Sequence, residues 1–445
     1  MANNFVRSLI VVSALALIPP ATTALAAADS DTVREFDELL TVFNRIRTDY
    51  VEQVDDKKLI RGAIDGMLAS LDPHSSYLDE RGYQSLMTTT DGEYGGLGLN
   101  VTLEDGAVKV IAPTEDSPGA KAGIKAGDFI THLNGKLIYG GTLDEAVDQM
   151  RGPPGTTIKL TIVRPGRDKP FDVSVTRAII ELAAVKWEVK DNVGIINVNT
   201  FSRDTTDEAL AAIASIERSL GHAPLGYILD LRSNPGGLLD QAVGLSDVFL
   251  ERGEVVSQRG RKKTDIERYY AEPGDAAKGL PVIVLVDSGT ASAAEIVAGA
   301  LQDHHRAIVM GERSFGKGSV QNLITLPGST AIRLTTARYY TPSGKSVQEG
   351  GITPDIEVPQ LSDPDYKVRP RFREADLRRH LINEIAVTND VLQDDGKPDP
   401  RFAATADELK RKGIEDYQLH YALQTLTRLG RGAQAAVPAR RTGTR

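Results

Sequence analysis

The stretch Pro281-Val282-Ile283-Val284-Leu285-Val286-Asp287-Ser288-Gly289-Thr290-Ala291-Ser292-Ala293-Ala294-Glu295-Ile296-Val297-Ala298-Gly299-Ala300-Leu301 decides how the rest of the chain is read. Its opening run is apolar and rich in β-branched residues. Bounded by Pro281 and by Asp287-Ser288-Gly289, that run predicts a short, fully buried strand. The residues from Thr290 to Leu301 are small and helix-favouring, and predict a helix. Ser288-Gly289-Thr290 lets the chain turn sharply between the two. Ser292 therefore falls at a strand-to-helix turn, beside helix N–H groups that have no partner inside the helix. A serine so placed has an anion site ready for the charge that develops in acyl transfer. Serine is also a favoured helix cap, so this stretch alone leaves cap and nucleophile both open.

A second strand, Ala307-Ile308-Val309-Met310, shifts the balance towards the nucleophile. It leads into Gly311-Glu312-Arg313-Ser314-Phe315-Gly316-Lys317-Gly318-Ser319-Val320-Gln321. Glycines on both sides of Lys317 let the backbone pack closely against other structure. A lysine in a tight, dry loop can lose its charge, because burial disfavours the ammonium. A neutral amine can deprotonate a serine, which is the serine–lysine form of a nucleophile with its base.

The runs Gly289 to Ile296 and Ser314 to Gln321 resemble the C-terminal processing peptidases, also called tail-specific proteases. Lys317 stands 25 residues after Ser292, and Gln321 four after Lys317, as in that family. The resemblance implies Ser292 as nucleophile, Lys317 as general base and Gln321 as the residue that orients the lysine. Asp303, 11 residues after the serine, matches an aspartate assigned to the site in some members. Asp230-Leu231-Arg232-Ser233-Asn234-Pro235-Gly236-Gly237 is another family motif. It implies an oxyanion hole made by the amides of Gly237 (or Gly236) and Ala293; the sequence does not decide between the glycines. Arg232 is expected to tie that loop down rather than to touch substrate.

Composition sets the outer limits. At 445 residues the chain has room for two to four domains. With 41% hydrophobic and 25% charged residues it has an ordinary globular balance, and a net charge of −9 argues against a nucleic-acid partner. The absence of cysteine excludes thiol chemistry and disulfides. Histidines are few and scattered, so no metal site and no cofactor is expected.

Met1 to Ala26 has Arg7, an apolar run from Leu9 to Ile18 and the small-x-small pattern Ala24-Leu25-Ala26. This predicts a secretory signal peptide and a periplasmic mature protein, with an uncleaved membrane anchor as the alternative. Residues 30–90 predict a helical region. Val33, Phe36, Leu39, Leu40, Phe43 and Ile46 recur on one helical face, and a second helix runs from Lys57 to Leu71. The family-like turn Leu71-Asp72-Pro73-His74-Ser75-Ser76 follows, with His74 expected as a turn residue.

Residues 91–178 read as a compact β-rich module. Its strands, the helix Leu143 to Met150 and the run Ser117 to Ile130 resemble a PDZ domain. The resemblance makes Gly96-Leu97-Gly98-Leu99 the loop whose N–H groups hold a peptide's C-terminal carboxylate, the peptide adding as a strand to a sheet edge. From residue 179 to 360 strands and helices alternate, which argues a layered α/β core. By resemblance this is the protease core, of crotonase/ClpP type. Residues 361–429 are expected to be helical, at Asp376 to Ile385 and Tyr417 to Leu429, and 430–445 to be a disordered tail.

The whole is a multidomain α+β chain: an N-terminal helical region, a PDZ domain, a layered α/β core and a helical C-terminal region. The resemblance implies a serine endopeptidase that cuts proteins near their C-termini, its PDZ domain recognising the substrate tail; because an exposed active protease would be dangerous, the PDZ domain is also expected to gate activity. Expected partners are proteins or peptides with free C-termini, a second copy of the chain in a homo-oligomer, and an adaptor protein. Rival readings are weaker. Gly311 to Lys317 fits the start of a phosphate loop, but Gly318 replaces the Ser or Thr needed next and a strand, not a helix, follows. No Gly-x-Ser-x-Gly elbow is present for an α/β-hydrolase. A non-catalytic PDZ scaffold of the cell envelope is the alternative from another class, and it leaves Ser292, Lys317 and Gln321 unexplained.

Overall fold

The computed structural model describes residues 30–104, 106–138, 140–366, 368–369, 371–385 and 400–436. The expected signal peptide and the end of the tail, residues 437–445, lie outside the described residues. The chain divides after Leu68 into two compact units. The first holds the helix Ser30–Asp49 and nearly all of Asp56–Ala69. In the helix Ser30–Asp49 the apolar residues Phe36, Leu39 and Leu40 are exposed.

The second unit is built on a six-stranded sheet. Its strands lie in the order Val185–Lys190, Val193–Val198, Tyr227–Asp230, Val282–Val286, Ala307–Gly311, Ile356–Glu357. The first pair is antiparallel and the rest are parallel. Val282–Val286 is buried along its whole length, as an apolar run bounded by turn residues requires. Val282, Val284 and Val286 pack on one face with the helices Thr205–Leu220, Leu239–Asp247 and Ala293–Asp303. Ile283 and Leu285 pack on the other face, against Ala422, Leu423 and Leu426 of the helix Tyr417–Ala436. Both faces are covered, which is why these strands are continuously apolar rather than alternating.

A second, five-stranded sheet joins Ser76–Leu78, Thr330–Tyr340, Gly253–Arg259 and Ile266–Ala271, with Ser319–Leu326 paired to Thr330–Tyr340. The PDZ module has its own antiparallel sheet and its own core, including Val108, Val110, Ile130, Leu160 and Ile162. Its helix, Leu143–Met150, starts at a capping box made by Thr142 and Glu145. Chain entry and exit are paired as a two-stranded ribbon, Glu93–Gly96 with Ala178–Glu181.

Two expectations for the C-terminal region are corrected. In place of a helix from Asp376 to Ile385 there is a single 3-10 turn, Glu374–Asp376, and 377–385 is irregular. Arg379 has φ +63°, which a helix interior does not allow. The segment's polar groups go instead to distant partners: Asn383 Nδ2 donates to the Gln348 carbonyl at 2.9 Å, and the Asn383 N–H donates to Glu349 at 2.7 Å. The last helix runs to Ala436, past the Leu429 end, so the tail's first residues are helical rather than disordered.

Candidate active site

Three loops leave the carboxyl ends of three adjacent parallel strands. Leu231 to Leu238 follows Tyr227–Asp230, Asp287 to Ser292 follows Val282–Val286, and Glu312 to Gly318, the lysine loop, follows Ala307–Gly311. In open α/β sheets this is the end where binding crevices form. The middle loop is stitched to both neighbours. Thr290, fully buried, donates from Oγ1 to the Leu231 carbonyl at 2.8 Å, and its own carbonyl accepts from the Phe315 N–H at 2.9 Å. The Ala291 N–H donates to the Asn234 carbonyl at 2.9 Å.

Ser292 has φ +54° and ψ −116°. A side-chain-bearing residue there is strained, and such strain persists only where the surroundings over-determine it. The strain falls where the strand Val282–Val286 gives way to a helix. The next residues begin the serine helix, Ala293–Asp303.

Glu295 joins this serine to the lysine. It is fully buried, and its carboxylate accepts from the Ser292 N–H at 2.8 Å, the Gly316 N–H at 2.7 Å, the Lys317 N–H at 2.9 Å and the Ser314 hydroxyl at 2.5 Å. Burial pushes its carboxyl up to about 7, against the pull of those four donors. A second bridge comes from Tyr339, whose hydroxyl donates to the carbonyls of Ser292 and Lys317. One carboxylate and one phenol thus fix the two backbones to each other. Lys317 is half-buried, and burial lowers its basicity, aided by the positive charge of Arg333; Glu374, Glu295 and Asp72 pull the other way.

The glycine loop separates its two glycines. The Gly236 N–H donates to Asn234 Oδ1 at 2.8 Å. Among the described residues, neither the Gly237 N–H nor the Ala293 N–H has an acceptor in the protein. Gly236 has φ +100°, and a Cβ there would lie 2.8 Å from the Ser292 Cβ. The loop is anchored from below by Arg232, which pairs with Asp230 at 2.6 Å and Asp416 at 2.7 Å. That is the tying role expected from the sequence.

Two expected residues stand elsewhere. Asp303 lies at the opposite end of the serine helix from Ser292, where it accepts from the Ser343 N–H at 2.9 Å. It ties the end of that helix to Ser343 and is not part of the site. Gln321 lies on the strand after the lysine loop, but its amide donates to Ser319 Oγ at 2.9 Å and Thr335 Oγ1 at 3.1 Å. His74 does more than make a turn: its Nε2 meets both oxygens of Glu374, at 2.9 and 2.8 Å. Sequence reasoning missed the work of Glu295, Tyr339 and Glu374. Glu295 had a local signal, a single acid in an otherwise apolar run of small residues; the others are joined to the site only by the fold.

In the PDZ module the expected carboxylate loop is tight. The Leu97 carbonyl accepts from the Gly119 N–H at 2.8 Å, and the Gly98 carbonyl from the Thr114 N–H at 2.8 Å. Gly98 has φ +66°, and a Cβ would lie 2.3 Å from the Ser117 Cβ. Both carbonyls are thus satisfied within the module. Among the described residues no cluster of His, Asp and Glu could hold a metal ion, and no helix is long and apolar enough to cross a membrane.

An α/β core with a strained serine at a strand end, carrying a PDZ module, defines a PDZ-bearing serine peptidase. The comparisons agree. Peptidase family S41 matches residues 192–358, a PDZ domain family matches 109–164, and the activating protease CtpB N-terminal domain matches 19–82. A carboxy-terminal-processing protease of Bartonella bacilliformis is 51% identical over 79% of this chain and 82% of its own. The carboxy-terminal processing protease CtpA of Bacillus subtilis is 38% identical over 82% of this chain and 78% of its own. Among solved structures, a photosystem II D1 C-terminal processing protease is 29% identical, covering 74% of this chain and 87% of that one, at a TM-score of 0.42. This chain belongs to the carboxy-terminal processing proteases of peptidase family S41, serine peptidases that here carry a PDZ domain.

Proposed function

We propose that the peptidase works by a serine–lysine mechanism in which Ser292 attacks the scissile carbonyl and Lys317 takes the serine proton. The observation that carries this is the single buried carboxylate of Glu295, which holds the N–H groups of strained Ser292 and of Lys317 at 2.8 and 2.9 Å. The Lys317 amine returns the proton to the leaving amine, and water then hydrolyses the acyl-enzyme. The N–H groups of Gly237 and Ala293 stabilise the oxyanion, which is supported by the commitment of the Gly236 N–H to Asn234. Gln321 acts on the lysine indirectly: it donates to Thr335, which donates to Asp72, and the Asp72 carboxylate pulls on Lys317.

The PDZ domain, with Gly96, Leu97, Gly98 and Leu99 as its carboxylate loop, captures substrate C-termini and gates the site. A two-stranded ribbon at the domain's entry and exit suits a hinge, and Arg81 pairs with Asp148 of the PDZ helix at 2.9 Å. The signal pattern of the first 26 residues supports a periplasmic location. The exposed apolar residues of the helix Ser30–Asp49 support a homo-oligomer or an adaptor contact.

The test is proteolysis of a labelled unstructured protein over pH 6 to 10, by the parent, Ser292→Ala and Lys317→Ala. Parent activity that climbs with pH, and its loss in both variants, is expected. Equal activity of Lys317→Ala and parent would overturn the lysine's role. Excising residues 92–177 tests gating: unchanged selectivity for a tagged over an untagged tail would remove the PDZ from the mechanism.

A further inference from the structure

The lysine loop is clamped by residues far outside its own sequence neighbourhood. The Gly318 N–H donates to Gln348 Oε1 at 2.9 Å. Gln348 is fully buried, and its amide nitrogen donates to Glu374 Oε1 at 3.0 Å. Glu374 is also fully buried; its N–H donates to the Phe315 carbonyl at 3.1 Å, and both its carboxylate oxygens meet His74 Nε2. His74 is in turn fixed by its backbone: its N–H donates to Asp72 Oδ1 at 2.8 Å, and its carbonyl accepts from Arg333 Nε at 3.1 Å. The same Asp72 oxygen accepts from Thr335 Oγ1 at 3.1 Å, and Thr335 accepts from Gln321. Two lines of hydrogen bonds thus run from the turn Asp72 to Ser75 to the lysine loop and the strand after it. His74 and Glu374 both lie outside residues 192–358, the part matched by peptidase family S41.

A carboxylate with no access to water is costly unless a partner compensates it. Gln348 supplies one hydrogen bond to Glu374, and His74 is the titratable group in contact with its carboxylate. Glu374 also acts on Lys317, on Tyr339 across the site and on His380, whose own carboxylate partner is Glu349. From the remaining sides Lys317 faces Arg333, Glu295 and Asp72. We propose that His74 and Glu374 are positioning residues, a hydrogen-bonded pair that clamps the lysine loop and fixes the Glu374 carboxylate beside it. The inference rests on Lys317 being the base.

The pair makes a prediction of sign that a purely structural clamp does not. The Glu374 carboxylate pulls on the lysine proton, and His74 holds that carboxylate in place. In Glu374→Gln the negative charge is gone while the oxygen that accepts from Gln348 is kept, so the rising limb of kcat/KM against pH moves down. In His74→Gln the side-chain amide can still donate to the carboxylate, so the limb keeps the parent's position, whereas His74→Ala removes that donor and lowers kcat/KM at every pH. The measurement is kcat/KM on a labelled unstructured protein from pH 6 to 10, using the full chain, with Lys317→Ala alongside. A lowered limb in Glu374→Gln, with the parent's limb in His74→Gln and a loss of kcat/KM in His74→Ala, supports the pair. An unmoved limb in Glu374→Gln, or parent kcat/KM in His74→Ala, overturns it. If His74→Ala does not fold, His74→Gln and Glu374→Gln still decide, since the first must match the parent and the second must fall below it. Activity surviving in Lys317→Ala would sink the serine–lysine reading itself, an outcome distinct from unmoved limbs with a dead Lys317→Ala.

Discussion

Burial, with Arg333 close by, holds Lys317 below the ordinary lysine range, and this has a cost in stability as well as a use in catalysis. The folded chain gives up the lysine proton more readily than the unfolded chain does. Between the lowered value and the ordinary one, about 10.4, the unfolded state binds more protons, so stability rises with pH. At pH 7 the penalty is therefore present, and it fades as pH climbs towards the ordinary lysine value. Lys317→Met keeps the aliphatic bulk and removes the charge. It is expected to raise the melting temperature at pH 7, with the gap to the parent narrowing by pH 10. Turnover should fall by on the order of 10³-fold or more, because the nucleophile loses its base. Calorimetry at the two pH values, with turnover on an unstructured protein, checks both halves. A variant no more stable than the parent at pH 7 would mean that the ammonium is well solvated in the resting site.

Glu295 acts between elements, since it ties the first turn of the serine helix to the lysine loop. Each of its oxygens accepts from two donors, so neither position suits an amide nitrogen. Glu295→Gln would turn an NH2 group towards two donors, in a place without water. Two unmet buried donors cost about 2–4 kcal/mol together. Turnover should drop on the order of 10²-fold, because small displacements of serine and lysine are amplified in the rate. Urea unfolding and turnover measure the two effects, and a neutral substitution would mean that Tyr339 alone fixes the geometry. The same residue marks how far the sequence could be read. The strand Val282–Val286 and the turn at Ser292 were legible because apolar periodicity and turn residues are local signals. The separation of Gly236 from Gly237 was not, since it depends on where the Asn234 side chain points. Residues 377–385 misled because their helical pattern is overridden by hydrogen bonds to Gln348 and Glu349. Asp303 misled for a simpler reason: eleven residues along a helix lead away from its N-terminus, not back to it.

For the molecule as a whole, the part matched by peptidase family S41 ends at residue 358, yet the core does not. One face of the central sheet, including Ile228, Ile283 and Leu285, is covered by Ala422, Leu423 and Leu426 of the last helix. The same C-terminal region supplies Asp416 to Arg232 under the glycine loop and Glu374 to the lysine loop. A chain ending at Pro359 would therefore expose an apolar sheet face, leave Arg232 with Asp230 but without Asp416 and Gln418, and free the lysine loop from its clamp. Exposed apolar surface of this kind drives association. We expect the truncated chain to aggregate, eluting early in size-exclusion chromatography and lacking activity. A milder version separates covering from clamping. Leu426 is fully buried, so Leu426→Ala should cost about 2–5 kcal/mol in urea unfolding while leaving the pH profile of kcat/KM in place, because no charge near Lys317 changes. If the chain ending at Pro359 stayed soluble and kept parent turnover, the C-terminal region would be an appendage rather than the second wall of the core.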